Sequence, residues 1–204
     1  MEVRIIKKEI RKKELLNIAY KLFMTKGYEN TSVDEIIAEA KIAKGTYYYY
    51  FESKEATLEK VIEMMIEEEC KKANEILQSN LSVQEKILGI IISMRPNTEE
   101  LKIQEAINIP ENIVMHQKIN KKIIEVITPL LTEVIEEGKK QNIFDCDNVK
   151  ERIEIILIIT NNLFDANEQN SRKLNIYIEI FIDLIEKLLG AKKGTIDFAK
   201  NLIN

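Results

Sequence analysis

Long stretches of this chain place apolar residues every three or four positions, with almost nothing between them that breaks a helix. Ile6, Ile10, Leu15, Ile18, Ala19, Leu22 and Phe23 follow this spacing, which predicts an amphipathic helix from about Arg4 to Lys26 with one buried stripe. Only 6 glycines and 3 prolines occur in 204 residues, too few for the tight turns of an all-β fold. No G-x-G-x-x-G or Walker-type run is present, which argues against a doubly wound nucleotide-binding sheet. An all-α fold is the expectation.

The punctuation between helices is equally regular. Gly27 follows the first helix, where a left-handed residue ends a helix without a β-carbon penalty. Ser32 stands three residues before Glu35 and Ser82 three before Glu85, two capping boxes that open helices at about Val33 and beyond Ser82. The first of these helices runs to Ala40. Lys41-Ile42-Ala43 then makes a tight connection to a short helix from Lys44 through Tyr50. Ser53 is placed to cap a longer helix from Lys54 to about Leu77. Pro96 stops the next helix near Arg95, and a short element over about Glu99 to Ile107 follows. Pro110 suits the first turn of a helix reaching toward Gln141, with Pro129 as an internal kink. Two densely apolar helices, about 148–166 and 172–189, are each expected to be buried on two sides, with a last short helix over about 195–202.

Charge is unevenly distributed. The net charge is −4 overall, yet residues 1–54 carry +3 and residues 55–204 carry −7. Within the first thirteen residues Arg4, Lys7, Lys8, Arg11, Lys12 and Lys13 face only Glu2 and Glu9. A basic N-terminal module on an acidic body fits phosphate contact at one end; a solvated helix face explains the same charges on its own.

The segment Lys44-Gly45-Thr46-Tyr47-Tyr48-Tyr49-Tyr50-Phe51 decides more. Five consecutive aromatics on a helix of 100° per residue cannot all face one core. Tyr47 and Phe51, four apart, share the packing face, so Tyr48 and Tyr49 point elsewhere and offer rings and hydroxyls to a sugar-phosphate backbone. Gly45 lets backbone approach a phosphate, and Thr46 is placed to touch a base edge. Three short helices, two of them joined by a three-residue turn, describe a helix-turn-helix.

These residues also carry a resemblance. The runs Ala19–Phe23, Lys26–Val33, Ile36–Ala40 and Lys44–Glu55 resemble the TetR family of bacterial transcriptional regulators, over about the first quarter of the chain. The resemblance implies a dimeric repressor with a helix-turn-helix domain over residues 1–53 and a helical regulatory and dimerisation domain over 54–204. It implies DNA contacts from Ser32 and Val33, from Lys44, Gly45, Thr46, Tyr48 and Tyr49, and from Lys54 at the head of the first regulatory helix. Tyr50 stands where many relatives carry His. The implied partners are a double-stranded operator, a second copy paired through the last two long helices, and a small-molecule effector that releases the operator.

The effector is not named by the sequence. Met64 and Met65 suit either an adaptable pocket or plain core, and Thr160, Asn161 and Asn162 suit either a cavity or hydrogen bonds across a dimer. His116, the one histidine, has no metal-ligand partners at useful spacing. Cys70 and Cys146 read as reduced structural thiols. No cofactor is expected, and an enzyme fails on inventory, since no Ser–His–Asp set or metal cluster is present. The longest aliphatic run, Ile155–Ile159, is too short to span a bilayer, and a cytoplasmic protein is expected. The competing reading is a helical dimeric interaction module without a ligand-gated DNA switch; burial of Tyr48 and Tyr49 would favour it.

Overall fold

The computed structural model describes residues 2–94, 100, 103, 113–164 and 171–202. Among the described residues eight α-helices follow in order: α1 Glu2–Lys26, α2 Val33–Glu39, α3 Lys44–Tyr50, α4 Lys54–Leu77, α5 Val83–Ser93, α6 Ile113–Lys140, α7 Val149–Phe164 and α8 Ser171–Leu189. A 3-10 helix, Asp197–Leu202, closes the described chain. No strand occurs among the described residues. The expected element over about 99–107, the neighbourhood of Pro96 and the first turn at Pro110 lie outside them.

The chain divides into two compact units, residues 1–67 with 96–119, and residues 68–95 with 120–204. Two of the three boundaries, at 67/68 and 119/120, fall inside α4 and α6.

In the first unit, Leu15, Ala19 and Phe23 of α1 are fully buried together with Ile36 of α2, Tyr47 of α3, and Leu58 and Val61 of α4. The elements end where local chemistry predicts. Gly27 takes φ +87°, a conformation that side chains rarely adopt. Thr31, buried behind it, donates its hydroxyl to the Gly27 carbonyl at 2.8 Å and so pins the turn into α2.

One expectation fails. Ile6 and Ile10 do not continue the buried stripe; they are 53% and 55% exposed. The step from Ile10 to Leu15 is five residues, which turns a helix by about 500°, or 140° past a full turn. Ile6 and Ile10 therefore lie on the face opposite Leu15, Ala19 and Phe23.

The second unit has its own core. Ala73 and Leu77 of α4, Val83 and Ile90 of α5, Leu130, Leu131 and Val134 of α6, Val149 and Ile153 of α7, and Phe181 and Ile182 of α8 are buried there with Phe144 and Ile196. Gly138 leaves the space that the Phe144 ring fills: a β-carbon at 138 would stand 2.5 Å from it. Lys86 is buried on α5 and is neutralised by Glu137 of α6 at 2.8 Å. Pro129 sits inside α6. No helix among the described residues is long and apolar enough to cross a membrane.

Candidate nucleic-acid interface

The start of α2 is set by a complete capping box. Ser32 takes extended backbone, its hydroxyl accepts from the Glu35 amide, and its own amide donates to the Glu35 carboxylate at 2.8 Å. Lys26 reaches the same carboxylate at 2.6 Å. With Lys26 and Ser32 both donating to it, the Glu35 carboxyl is lowered from the ordinary 4.5 to about 2. The Ser32 amide and hydroxyl are thus already engaged at the position expected to meet phosphate. Val33, beside it, is half-buried.

Lys41, at φ +52°, begins the turn into α3. Seven residues, Lys44 to Tyr50, form that helix, and its aromatic run divides as the 100° rotation requires. Tyr47 is fully buried and Phe51 nearly so, whereas Tyr48 is 47% and Tyr49 65% exposed. Tyr48 stands edge-on to Tyr47, with ring centroids 5.3 Å apart. Tyr50 is half-buried and packs edge-on against Tyr49 at 5.1 Å. A β-carbon at Gly45 would meet no atom within 4 Å, so the backbone there faces open space. Lys44 is exposed and 3.3 Å from Asp34 of α2. Thr46 is half-buried. The exposed side of α3 is therefore an open backbone flanked by phenols, a lysine and a threonine, the chemistry that contacts sugar-phosphate and base edges.

Two family models match this chain. The model for bacterial regulatory proteins of the tetR family covers residues 15–61, and the tetracyclin repressor-like C-terminal domain model covers residues 96–182. The chain belongs to the TetR family.

It is a helix-turn-helix, DNA-binding transcriptional regulator. Among curated relatives of this TetR-family protein, the uncharacterized HTH-type transcriptional regulator YuxN of Bacillus subtilis is 54% identical over 48 residues, 24% of this chain and 16% of that protein. YhgD of the same organism, also an uncharacterized HTH-type transcriptional regulator, is 29% identical over 78% of this chain and 86% of its own length. A solved TetR-family regulator from Pectobacterium atrosepticum shares the fold, with TM-score 0.64 at 19% identity over 90% of this chain and 96% of that one.

Lys54, expected on the DNA backbone, opens α4 in a different setting. Its ammonium donates to the Tyr28 carbonyl at 3.0 Å and lies 4.1 Å above the Tyr28 ring. No spacing rule in the sequence pointed to that partner, 26 residues away. Ser53 caps α4 through the Ala56 amide, as expected.

Of the residues suggested for an effector pocket, Met64 and Met65 on α4 and Asn161 on α7 are half-buried, and the Asn162 side chain lies outside the described residues. Met64 and Met65 belong to the first compact unit and Asn161 to the second. His116 is half-buried on α6. Both cysteines are free thiols, and burial pushes the Cys146 thiol upward, away from the reactive thiolate. No group of metal-ligating side chains occurs among the described residues.

Proposed function

We propose that this regulator is a homodimeric repressor that reads an operator with α3 and releases it when a small molecule binds the regulatory part of the chain. The observation that carries the reading is the division of the tyrosine run: Tyr47 holds the helix in the core while Tyr48 and Tyr49 stand in solvent. Thr46 is assigned to a base edge, Lys44, Gly45, Tyr48 and Tyr49 to the groove wall, and Ser32 and Val33 to a flanking phosphate. Lys54 is assigned to backbone contact from the start of α4, with its Tyr28 contacts holding it in place. Residues 1–53 carry the reading and 54–204 the regulation. The interaction-module alternative, which burial of these two tyrosines would have favoured, gains no support from their exposure.

Dimerisation is assigned to α7 and α8. Ile155 and Ile158 on α7, and Ile176, Ile180 and Leu184 on α8, remain exposed. On α8 they recur every four residues, an aliphatic stripe that a second copy would cover. Two heads on a common body match two successive major-groove faces only at one separation, so an effector that prefers another separation lowers affinity by its differential binding. Met64, Met65, Asn161 and Asn162 remain the candidates to meet it.

The test is binding of the full chain to duplexes from the region upstream of its own gene, titrated with salt. Binding that weakens steeply with salt, and a Thr46→Ala variant with altered base preference, is the expected result. Absence of binding to every such fragment counts against the repressor reading.

A further inference from the structure

About 18 Å of α1 lies ahead of Glu14, and it lies ahead of residue 15, where the family match begins. This extension is helical, and its two faces differ. Stepping back at 100° per residue from Leu15 and Ala19, the same face of the helix is continued by Lys12, Arg11 and Lys8. Ile6 and Ile10 occupy the opposite face and are exposed. The apolar face that packs on the helix-turn-helix thus becomes, toward the N-terminus, a cationic one.

Two contacts place that cationic face against the reading elements. The Lys8 ammonium stands 4.8 Å from the centroid of the Tyr49 ring on the exposed side of α3. Arg11 donates to the Ala40 carbonyl at the end of α2, 3.3 Å away, and pairs with Glu14 at 2.7 Å. A cation held over a groove-facing phenol is within side-chain reach of the phosphates that border that groove. Charge complementarity and continuity with α3 both point to one occupant.

We propose that the N-terminal extension of α1 is a second DNA-binding surface, in which Lys8 and Lys12 contact the phosphodiester backbone beside the groove entered by α3. The proposal rests on the operator-reading role of α3. Its contribution is affinity without base preference, because phosphates carry no sequence information directly. Arg11 positions the extension through Ala40 and Glu14 rather than serving as a free phosphate ligand.

The experiment compares the full chain with a Lys8→Gln, Lys12→Gln variant on two probes, a duplex from the gene's own upstream region and a mixed-sequence duplex of the same length. Removing two phosphate contacts per protomer lowers the slope of log affinity against log salt by about 3 to 4 for a dimer, on both probes. A Lys8→Arg, Lys12→Arg variant keeps the slope. So does a Lys121→Gln, Lys122→Gln variant, which removes the same charge from α6. Unchanged slope in the first variant, with an unaltered thermal melt, overturns the proposal and leaves operator reading by α3 intact. A slope lowered equally by the α6 variant also overturns it, since overall charge then explains the effect. Loss of binding to phosphatidylglycerol vesicles with no change on DNA overturns it in favour of a membrane surface. Failure of the unmodified chain to bind any duplex removes both readings together.

Discussion

The Tyr47 hydroxyl lies 2.6 Å from the Thr57 hydroxyl, with both side chains fully buried, so α3 is tied to the first turn of α4 by a hydrogen bond away from solvent. Thr57 also donates to the Ser53 carbonyl at 3.0 Å, and Tyr47 has a longer contact to that carbonyl at 3.4 Å. Tyr47→Phe is expected to cost about 1 kcal/mol of stability, with a similar coupling energy to Thr57→Val in a double-mutant cycle followed by urea unfolding. Tyr47→Ala, which also empties the core, is expected to cost about 3 to 5 kcal/mol. A coupling energy of zero would mean that the two hydroxyls act independently.

Glu35 gives the first unit an acid-sensitive joint. Its carboxyl is lowered from 4.5 to about 2, so the folded state favours the ionised form. The associated stability is present above pH 4.5 and is lost as pH falls toward 2. Glu35→Gln keeps an acceptor for the Ser32 amide but cannot pair with Lys26. Its melting temperature is expected to be lower at neutral pH and to decline less between pH 4.5 and 2, a comparison that circular dichroism makes directly.

In the second unit, Gly138 and Phe144 form a lock of shape. Gly138→Ala forces its new β-carbon against the ring and is expected to cost about 1 to 3 kcal/mol. Phe144→Leu removes the obstructing ring atoms, and Gly138→Ala in that background is expected to cost much less. Chemical denaturation of the four proteins measures the difference; additive costs would place the strain elsewhere.

The exposed aliphatic residues of α7 and α8 make the proposed dimer testable by charge. Ile158→Glu with Ile180→Glu alters surface positions that contribute little to the folded protomer. Sedimentation velocity is expected to show monomers that melt near the unmodified temperature, with operator affinity reduced at least tenfold because paired half-sites no longer bind together. A dimer that survives both substitutions would assign association to another face.

Local rules made much of this molecule legible. Ser32–Glu35 and Ser82–Glu85 announced two helix starts, and both boxes are formed in full. Gly27 announced the end of α1, and the tyrosine run divided by rotation alone. What spacing could not reveal was chosen by tertiary contact. Ile6 and Ile10 look like core by composition, but the five-residue step to Leu15 turns them to a face that is exposed among the described residues. Lys54 finds the Tyr28 carbonyl, and Lys8 finds Tyr49, only after the chain has turned back on itself. Where the first compact unit ends was equally hidden, since α4 runs unbroken through that point.

The burial of Thr57, Leu58 and Val61 bears on any attempt to excise the reading head. A piece ending at Ser53 would discard the floor on which Tyr47 rests and expose an open seam of aliphatic side chains. A cut beyond Glu67 keeps that floor, yet it also leaves behind residues 113–119 of α6, which belong to the same unit from much later in the chain. The head is thus not a detachable cassette, and its exchange between relatives would require grafting from two separate places in the chain.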